Sequence, residues 1–206
     1  MHPNPAYRQT PEDTVLAFAR ARGFGTLTIN GPGGPLASHI PFVLAPDGTS
    51  LELHLVRSNP IARALAVPQP ALLAVIGPDG YISPDWYGMA DQVPTWNYIA
   101  AHLRGTLTAL PPDLMRGQLD RLSAEFENRL RPKTPWRTDK MPEEALDRLM
   151  RMILPCRLDI AKVDGTWKLG QNKPDRARLG SADGLEAAGI GSEAAALAGM
   201  MRATPG

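Results

Sequence analysis

A polar stretch at positions 54–63, HLVRSNPIAR, holds the residue types best suited to bind an anion. The Asn-Pro pair within it predicts that a helix begins there, because Asn is a favoured N-cap residue and proline a favoured first residue. Free backbone N–H groups at the helix start, the Ser58 hydroxyl and the guanidinium groups of Arg57 and Arg63 would together suit a phosphate. The alternative is that Asn59 only caps the helix while both arginines are solvated.

His54 opens this stretch at the end of a predicted strand. Leucines at 51, 53 and 55 alternate with Glu52 and His54. Because side chains alternate between the two faces of a strand, His54 lies on the less buried face.

Aromatic residues are concentrated in a second block, where positions 81–98 hold five of the eight Trp and Tyr residues of the chain. Aromatic rings with polar tips can form the walls of a site for a flat heteroaromatic ligand. Core packing or a subunit interface would explain the same block. A third block, WKLGQNK at 167–173, combines a Trp, two cations and two amides, and its alternative interpretation is a solvated strand end.

The usual catalytic and metal-binding motifs are absent from the sequence. G-x-S-x-G, the P-loop motif and G-x-G-x-x-G do not occur, and the four histidines lack the spacing of a zinc site. Cys156 stands in an apolar run without a local base, which favours an inert buried thiol. We therefore assign no catalytic or metal-binding residue, and expect any chemistry to need a cofactor.

Composition limits the class of protein further. The 206 residues, 43% apolar and 21% charged, are typical of a globular chain. A net charge of +1 disfavours unaided binding to nucleic acid. A single cysteine and an N-terminus without a signal pattern predict a cytoplasmic location. The longest apolar run, positions 71–76, is too short to cross a membrane.

Apolar periodicity and turn residues predict the elements that would position these blocks. Up to position 109 we expect helices over 11–22 and 60–66, strands over 24–30, 36–44, 51–56, 71–76 and 93–109, and a turn at 77–80. The first three strands read as an antiparallel meander, and the last of the five is expected to bend at Gly105.

The second half of the chain changes to helical periodicity. We expect helices over 113–130 and from 142 through Ile153, then strands over 156–163 and 166–169 joined by a hairpin turn at Asp164-Gly165. After position 172 the sequence predicts broken helices, partly mobile. Several short strands with few helices indicate a barrel or sandwich in one domain, with a helical hairpin inserted.

In this order, the blocks resemble the PaiB-like family of FMN-binding negative transcriptional regulators, in the pyridoxamine 5′-phosphate oxidase-like flavoprotein superfamily. The matching stretches are SHIP at 38–41, HLVRSNP at 54–60, YISPDWY at 81–87, VPTWNY at 93–98 and WKLGQN at 167–172. The likeness extends to about residue 178. Two departures stand out: His2 where the family usually has an early tyrosine, and Gly170 where it often has a serine.

The resemblance implies a mainly β fold with α-helices, the FMN-binding split β-barrel. It would span residues 1–178, with a helical insertion at about 111–153, followed by an Ala/Gly-rich tail over 179–206 that is helical or partly mobile. It also implies a homodimer that holds FMN at the subunit interface. The positions that match the cofactor site are His54, then Arg57, Ser58, Asn59 and Arg63 at the phosphate end, and Trp96, Asn97, Trp167, Lys168 and Gln171 at the flavin end.

Family membership would predict a role in negative transcriptional regulation. A flavin-dependent oxidoreductase acting on a small molecule is the alternative, since folds of this type host several functions. Direct binding to DNA is not supported by the net charge, and the helical region shows no recognisable helix-turn-helix pattern.

Overall fold

The structure is a computed structural model that describes residues 1–205. The chain divides into two compact units. Unit 1 contains Met1–Val15, Val75–His102 and the residues from 164 onward, and unit 2 contains Leu16–Ala74 and Leu103–Val163. Three long strands contribute residues to both units.

Seven strands in the described residues form one sheet, in the order β2-β1-β5-β6-β7-β4-β3. Their bounds are Phe24–Gly31 (β1), Gly34–Pro41 (β2), Val43–Leu44 (β3), Ser50–Val56 (β4), Gln69–Ile82 (β5), Thr95–Ala109 (β6) and Ile153–Lys168 (β7). The pairs β1–β2, β1–β5, β3–β4 and β4–β7 are antiparallel.

The antiparallel pairings of the predicted meander form, but its middle strand is divided into β2 and β3. β2 pairs with β1 and β3 pairs with β4, and the two halves take the first and last places in the strand order. β4 also pairs with β7, with Leu53 opposite Cys156. This long-range pairing buries leucines of β4 and the Cys156 thiol in the core of unit 2, and burial raises the pKa of that thiol to about 12.

The predicted turn at 77–80 is also wrong, because β5 runs through it without a break. The backbone N–H groups of Asp79 and Tyr81 donate to the carbonyls of Ser192 and Ile190, both at 3.0 Å. A returning segment of unit 1 therefore supplies the hydrogen bonds that a strand needs, and Pro78, which has no N–H, is accommodated between these donors.

The hairpin predicted at Asp164-Gly165 does not form, and β7 continues through both residues. A two-residue type I′ turn needs positive φ at both central positions, and neither residue has it. The Asp164 carboxylate accepts a hydrogen bond from Arg8 at 3.1 Å. A side chain at Gly165 would approach Val15 Cγ2 to 2.5 Å, so glycine here permits close packing within unit 1.

Six helices lie in the described residues. They are Glu12–Arg22 (α1), Pro60–Ala64 (α2), Met115–Glu127 (α3), Glu143–Met150 (α4), Asp175–Ala188 (α5) and Ala194–Ala203 (α6). α1 ends at Gly23, whose φ of +59° is typical of a helix C-terminus. α3 ends three residues before the predicted limit, which leaves Leu130 exposed, and Ile153 begins β7 instead of ending α4.

α3 and α4 form the helical insertion of unit 2 between β6 and β7. Gln118 of α3 is buried, and its amide nitrogen donates to the Cys156 carbonyl at 2.9 Å. Polar Gln118, which the predicted apolar stripe of this helix omits, thus anchors α3 to β7.

α5 and α6 pack together in unit 1. Leu185, Leu197 and Met201 are fully buried, and the buried Arg178 guanidinium donates to the Met201 carbonyl and to Asp175. The predicted class, mainly β with an inserted helical pair and a helical C-terminal region, is confirmed.

Candidate functional site

A cavity of about 350 Å³ in unit 1 brings together residues from the N-terminal segment, the start of β6 and the end of β7. The residues that argue for a binding site are Tyr7, Tyr87, Asn97, Lys168 and Lys173. Its size lies in the range of ligand sites, and its mixture of rings and a few polar groups is typical of them.

Two ammonium groups reach this cavity from β7 and the turn after it. The Lys168 ammonium donates to the Thr95 hydroxyl, and Lys173 donates to the Gln92 side-chain oxygen at 2.5 Å. Burial, and then the nearby charge of Lys173, lowers the pKa of Lys168. A partly buried cation beside a second cation is stabilised by an anion or an electron-rich ligand edge.

Two tyrosines form aromatic walls under these cations. The Lys168 Nζ atom lies 5.9 Å from the Tyr7 ring centre, and the Lys173 Nζ atom lies 5.0 Å from that of Tyr87. Burial raises the pKa of both phenols, and that of Tyr87 is raised further by Tyr7. Both phenols therefore keep their protons throughout the neutral range and can donate hydrogen bonds.

Asn97 is the predicted flavin-end residue that is most deeply placed in this cavity. It is 1% exposed, and its amide nitrogen contacts Met201 Sδ at 3.6 Å, which is a weak acceptor. Gly170 adjoins it with a φ of +82°, so a residue with a side chain would be strained at that position.

Gln171 links the N-terminal segment to the end of β7 through its side-chain hydrogen bonds. Its side-chain oxygen accepts from the Leu169 N–H at 2.8 Å, and its amide nitrogen donates to the carbonyls of Ala6 and Trp167. These bonds tie the N-terminal segment to the end of β7, and so hold Tyr7 at the cavity.

The predicted aromatic wall is split by the structure. Trp96 is 48% exposed, and its ring packs edge-to-face on Tyr81, which contacts Trp86 in the same way. Trp96 and Trp167 are not among the residues that line the cavity. Of the five predicted flavin-end positions, the cavity therefore joins Asn97 and Lys168.

The predicted phosphate-end residues lie in unit 2 with the further cofactor candidate His54, and the five together are here called the arginine group: His54, Arg57, Ser58, Asn59 and Arg63. Asn59 caps α2, because its side-chain oxygen accepts from the Ile61 N–H at 2.9 Å, and its amide nitrogen donates to the Ser38 hydroxyl at 3.0 Å. Since Pro60 has no N–H and that of Ile61 is already bonded, the helix start offers an anion less than expected.

The two guanidinium groups of this group differ in their freedom. Arg57 is exposed, and its Nε atom donates to the Arg151 carbonyl at 2.9 Å, which leaves its terminal nitrogens available. Arg63 is exposed at the end of α2, and its guanidinium makes no hydrogen bond or ion pair within residues 1–205. The side chains, rather than the helix start, supply the capacity to bind a phosphate here.

His54 contributes an unsatisfied atom to the same unit. Its Nδ1 atom is buried without a hydrogen-bond partner in the described residues, and burial lowers its pKa.

Sequence reasoning did not select Tyr7, Tyr87 or Lys173 as site residues. Tyr7 is held by a turn that Asn4 caps, because the Ala6 N–H donates to the Asn4 side chain at 2.9 Å. The His2 ring packs edge-to-face on the Tyr7 ring, with the ring centres 4.7 Å apart. The sequence signal for this turn is the pair Asn4-Pro5, which is typical of a helix or turn start. Lys173 stood in the third block, but its spacing alone did not show that it would turn back to Tyr87.

These residues fit a flavin nucleotide. In unit 1, Lys168 and Lys173 suit the electron-rich edge of an isoalloxazine ring, and the tyrosines offer it apolar walls. Considered by itself, unit 2 offers the exposed guanidinium groups of Arg57 and Arg63, which suit a phosphate. No group of three or more His, Cys, Asp or Glu side chains within residues 1–205 could hold a metal ion. Nor does any helix in that range have the length and apolar character to span a bilayer.

Comparison with protein families gives a match over residues 1–162 to a family described as "Putative FMN-binding domain". A curated relative, "Protease synthase and sporulation protein PAI 2" of Bacillus subtilis, is 27% identical over 169 residues, covering 81% of this chain and 80% of that protein. The uncharacterized protein YKL070W of Saccharomyces cerevisiae is 35% identical over 117 residues, covering 53% and 64%.

Solved structures share the fold at low sequence identity. The flavocytochrome Anf3 from Azotobacter vinelandii superposes with a TM-score of 0.59 at 16% identity, covering 81% of this chain and 72% of that one. The FAD and heme binding protein from Mycobacterium smegmatis gives a TM-score of 0.57 at 22% identity, covering 79% and 73%.

Proposed function

This chain belongs to the FMN-binding family whose model matches residues 1–162, and from that membership we propose that it is an FMN-binding homodimer with a role in negative transcriptional regulation. The observation that carries the proposal is the cavity of unit 1, where Lys168 and Lys173 lie beside Tyr7, Tyr87 and Asn97. A cationic cavity with aromatic walls suits a flavin ring better than it suits an apolar ligand.

In unit 1, Lys168 and Asn97 would contact the polar edge of a flavin ring. Trp96, Trp167 and Gln171 are further candidate contacts to a flavin held with the partner subunit. In unit 2, the candidate contacts to a phosphate are Arg57, Ser58 and Arg63, with Asn59 orienting the turn, and His54 is the remaining candidate of that unit.

When bound, FMN supplies a ring that can accept and release electrons. The protein's part is to hold positive charge at Lys168 and protons at the phenols of Tyr7 and Tyr87. The phenols retain those protons because burial raises their pKa. Positive charge and hydrogen-bond donors beside the flavin ring would stabilise its reduced, more electron-rich form.

The regulatory role rests on the likeness to PAI 2 of Bacillus subtilis, which is named as a protease synthase and sporulation protein. A net charge of +1 gives little long-range attraction for DNA. We therefore propose that regulation acts through the flavin-bearing dimer without strong unaided DNA binding. A cytoplasmic location is proposed with it, because the chain's single cysteine is a buried, unpaired thiol.

A flavin-dependent oxidoreductase is the second candidate. The specific observation in its favour is that two proton-bearing phenols and two lysines face one cavity, which could bind a small anionic substrate. Oxidation of reduced nicotinamide, followed across a panel of small acceptors, would identify this activity. A flavin-loaded protein that consumes no donor with any acceptor would exclude it for that panel.

The deciding experiment is an absorbance and fluorescence titration of the purified chain with FMN. We expect bound flavin absorbance, quenching of FMN fluorescence and one FMN per chain. A protein that neither retains nor quenches FMN would contradict the proposal. A gel-shift series over a range of salt concentrations with the protein's own upstream DNA would separately test direct DNA contact, which we expect to be weak.

A further inference from the structure

A second cavity lies within the helical insertion of unit 2. It has a volume of about 560 Å³ and is enclosed by α3 and the loop over residues 131–141 that leads to α4. No residue of the arginine group lines it, and the proposed FMN site does not require it.

The floor of this cavity is a fixed polar network. The hydroxyl of buried Thr138 donates to the Asp120 carboxylate at 2.6 Å and accepts from Arg116 Nε at 3.2 Å. Arg116 also pairs with Glu143 at 3.2 Å. These bonds hold the loop against α3, and with one arginine facing two carboxylates the network carries one net negative charge.

A second attachment fixes the aromatic wall. The backbone N–H of Trp136 donates to the Glu127 carboxylate at 2.7 Å, and the Lys133 ammonium pairs with the same carboxylate. Two attachments of the loop thus fix the backbone at Trp136, which lines the cavity, and a loop held before binding reduces the ordering cost.

Two guanidinium groups at this cavity remain weakly engaged. Arg131 meets Asn128 Oδ1 only at 3.5 Å, the limit of a hydrogen bond. Arg137 lines the cavity, and its guanidinium makes no hydrogen bond or ion pair in the described part of the chain. Asp139 is the exposed acid that faces these two guanidinium groups.

We propose that this cavity binds a flat aromatic molecule that carries an acid group, with its ring against Trp136 and its phosphate or carboxylate on Arg131 and Arg137. An indole stacks with aromatic rings, and a guanidinium fork matches the two oxygens of an acid group. The volume admits a ligand the size of a nucleotide. Two sources share this chemistry: nucleoside monophosphates and aromatic carboxylic acids.

The test is calorimetric titration of the FMN-saturated protein, with AMP and GMP in one arm and indole-3-acetate in the other. We expect one arm to show binding of one ligand per chain. The double substitution Arg131→Ala/Arg137→Ala should weaken that binding at least about tenfold, and Trp136→Leu should weaken it separately. Arg148→Ala removes an exposed arginine from α4, outside the cavity, and should leave the affinity unchanged.

Three results would overturn the proposal: no heat of binding in either arm at millimolar ligand, unchanged affinity in the double variant, or an equal loss in the Arg148 control. The double variant is expected to keep its flavin content and its circular dichroism spectrum, because both arginines are exposed. Loss of FMN in that variant would instead assign this cavity to the cofactor. Failure of ligand binding at this cavity can therefore be distinguished from failure of FMN binding, because flavin content is measured separately.

Discussion

His54 has a buried Nδ1 atom without a hydrogen-bond partner among residues 1–205, and burial lowers its pKa. An imidazole that is held neutral in the folded chain but protonates freely in the unfolded chain makes stability depend on pH. The unfolded state binds the extra proton below about pH 6.5, the ordinary value for histidine. Stability is therefore fully present above that pH and decreases as pH falls toward the lowered folded pKa.

Substitution of His54 by Gln should remove this part of the acid sensitivity. We expect the free energy of unfolding, measured in urea at pH 7 and pH 5, to fall less between the two pH values in His54→Gln than in wild type. His39→Gln is the control, because His39 lies on β2 and bonds to the Thr26 hydroxyl at 3.0 Å. An identical pH dependence in wild type and His54→Gln would show that the ring is solvated.

Lys168 predicts how FMN affinity changes at alkaline pH. Burial and the charge of Lys173 lower its pKa, so the ammonium loses its proton at a lower pH than an ordinary lysine. An electron-rich ring binds the charged form better. FMN affinity should therefore be greatest below that lowered pKa and decline as pH rises through it.

The measurement is FMN affinity by fluorescence quenching from pH 7 to pH 10. Lys168→Met should bind FMN about tenfold more weakly at pH 7, because it lacks one charge-assisted contact to the flavin. It should also lack the alkaline decline of wild type. If both proteins show the same decline, the ionisation belongs to another group.

Arg57 and Arg63 test the phosphate end. Either substitution by Ala should weaken FMN binding by about 1.5–3 kcal/mol if its guanidinium bonds the phosphate. Arg63→Ala is the cleaner variant, because Arg57 also donates to the Arg151 carbonyl. Riboflavin, which lacks the phosphate, should bind wild type and Arg63→Ala equally. Unchanged FMN affinity in both variants would place the phosphate elsewhere.

Sequence patterns identified some site residues because each has a local signature. The Asn59 cap is visible from the Asn-Pro pair, and Asn97 and Lys168 fall at predictable positions on long strands. Tyr7 and Lys173 could not be paired with them, because their approach depends on bonds between distant segments, such as that from Gln171 to the Ala6 carbonyl. The spacing of residues within one segment does not predict contacts between segments that are far apart in the sequence.

At the scale of elements, the helices and most strands follow from periodicity and capping, while two predicted turns do not form. Gly77 to Gly80 and Asp164-Gly165 have the composition of turns. Their backbone nevertheless stays extended, because a returning segment at 190–192 bonds β5, and because Gly165 packs closely against Val15. A glycine that marks a turn and one that permits close approach look alike in sequence.

The same contrast between glycines gives a prediction for α5 and α6. A Cβ atom at Gly184 of α5 would lie 2.3 Å from the Trp86 ring, whereas one at Gly199 of α6 would meet nothing within 4 Å. Gly184→Ala should therefore destabilise the protein by about 1–3 kcal/mol through overpacking. Gly199→Ala should stabilise it by roughly 0.5–1 kcal/mol, because alanine is the better helix former.

Thermal or urea unfolding of the two variants beside wild type would measure the difference directly. The substitution is chemically identical in both, so each variant is the control for the other. Equal changes in stability would contradict the packing of Trp86 on α5.

At the scale of the whole molecule, the sequence predicts the class of fold but not the sheet order. β2 and β3 follow one another in the chain and end at opposite ends of that order. The resemblance, rather than periodicity, predicted the split barrel and the cofactor, because the pairing of β4 with β7 joins residues about a hundred positions apart.

The proposed homodimer links assembly to cofactor binding. If FMN lies at the subunit interface, each dimer holds sites that a separated chain lacks, and FMN must then favour the dimer. By linkage, the factor by which FMN tightens the dimer equals the factor by which dimerisation tightens FMN binding. FMN affinity should therefore depend on protein concentration.

Analytical ultracentrifugation over a dilution series, with and without FMN, measures this coupling. We expect a species of about twice 22.3 kDa whose dissociation moves to lower protein concentration when FMN is present. Arg63→Ala provides the matched case, since weaker FMN binding at an unaltered core should reduce the shift without abolishing the dimer. A chain that binds FMN tightly while sedimenting as a monomer would place the whole cofactor site within one subunit.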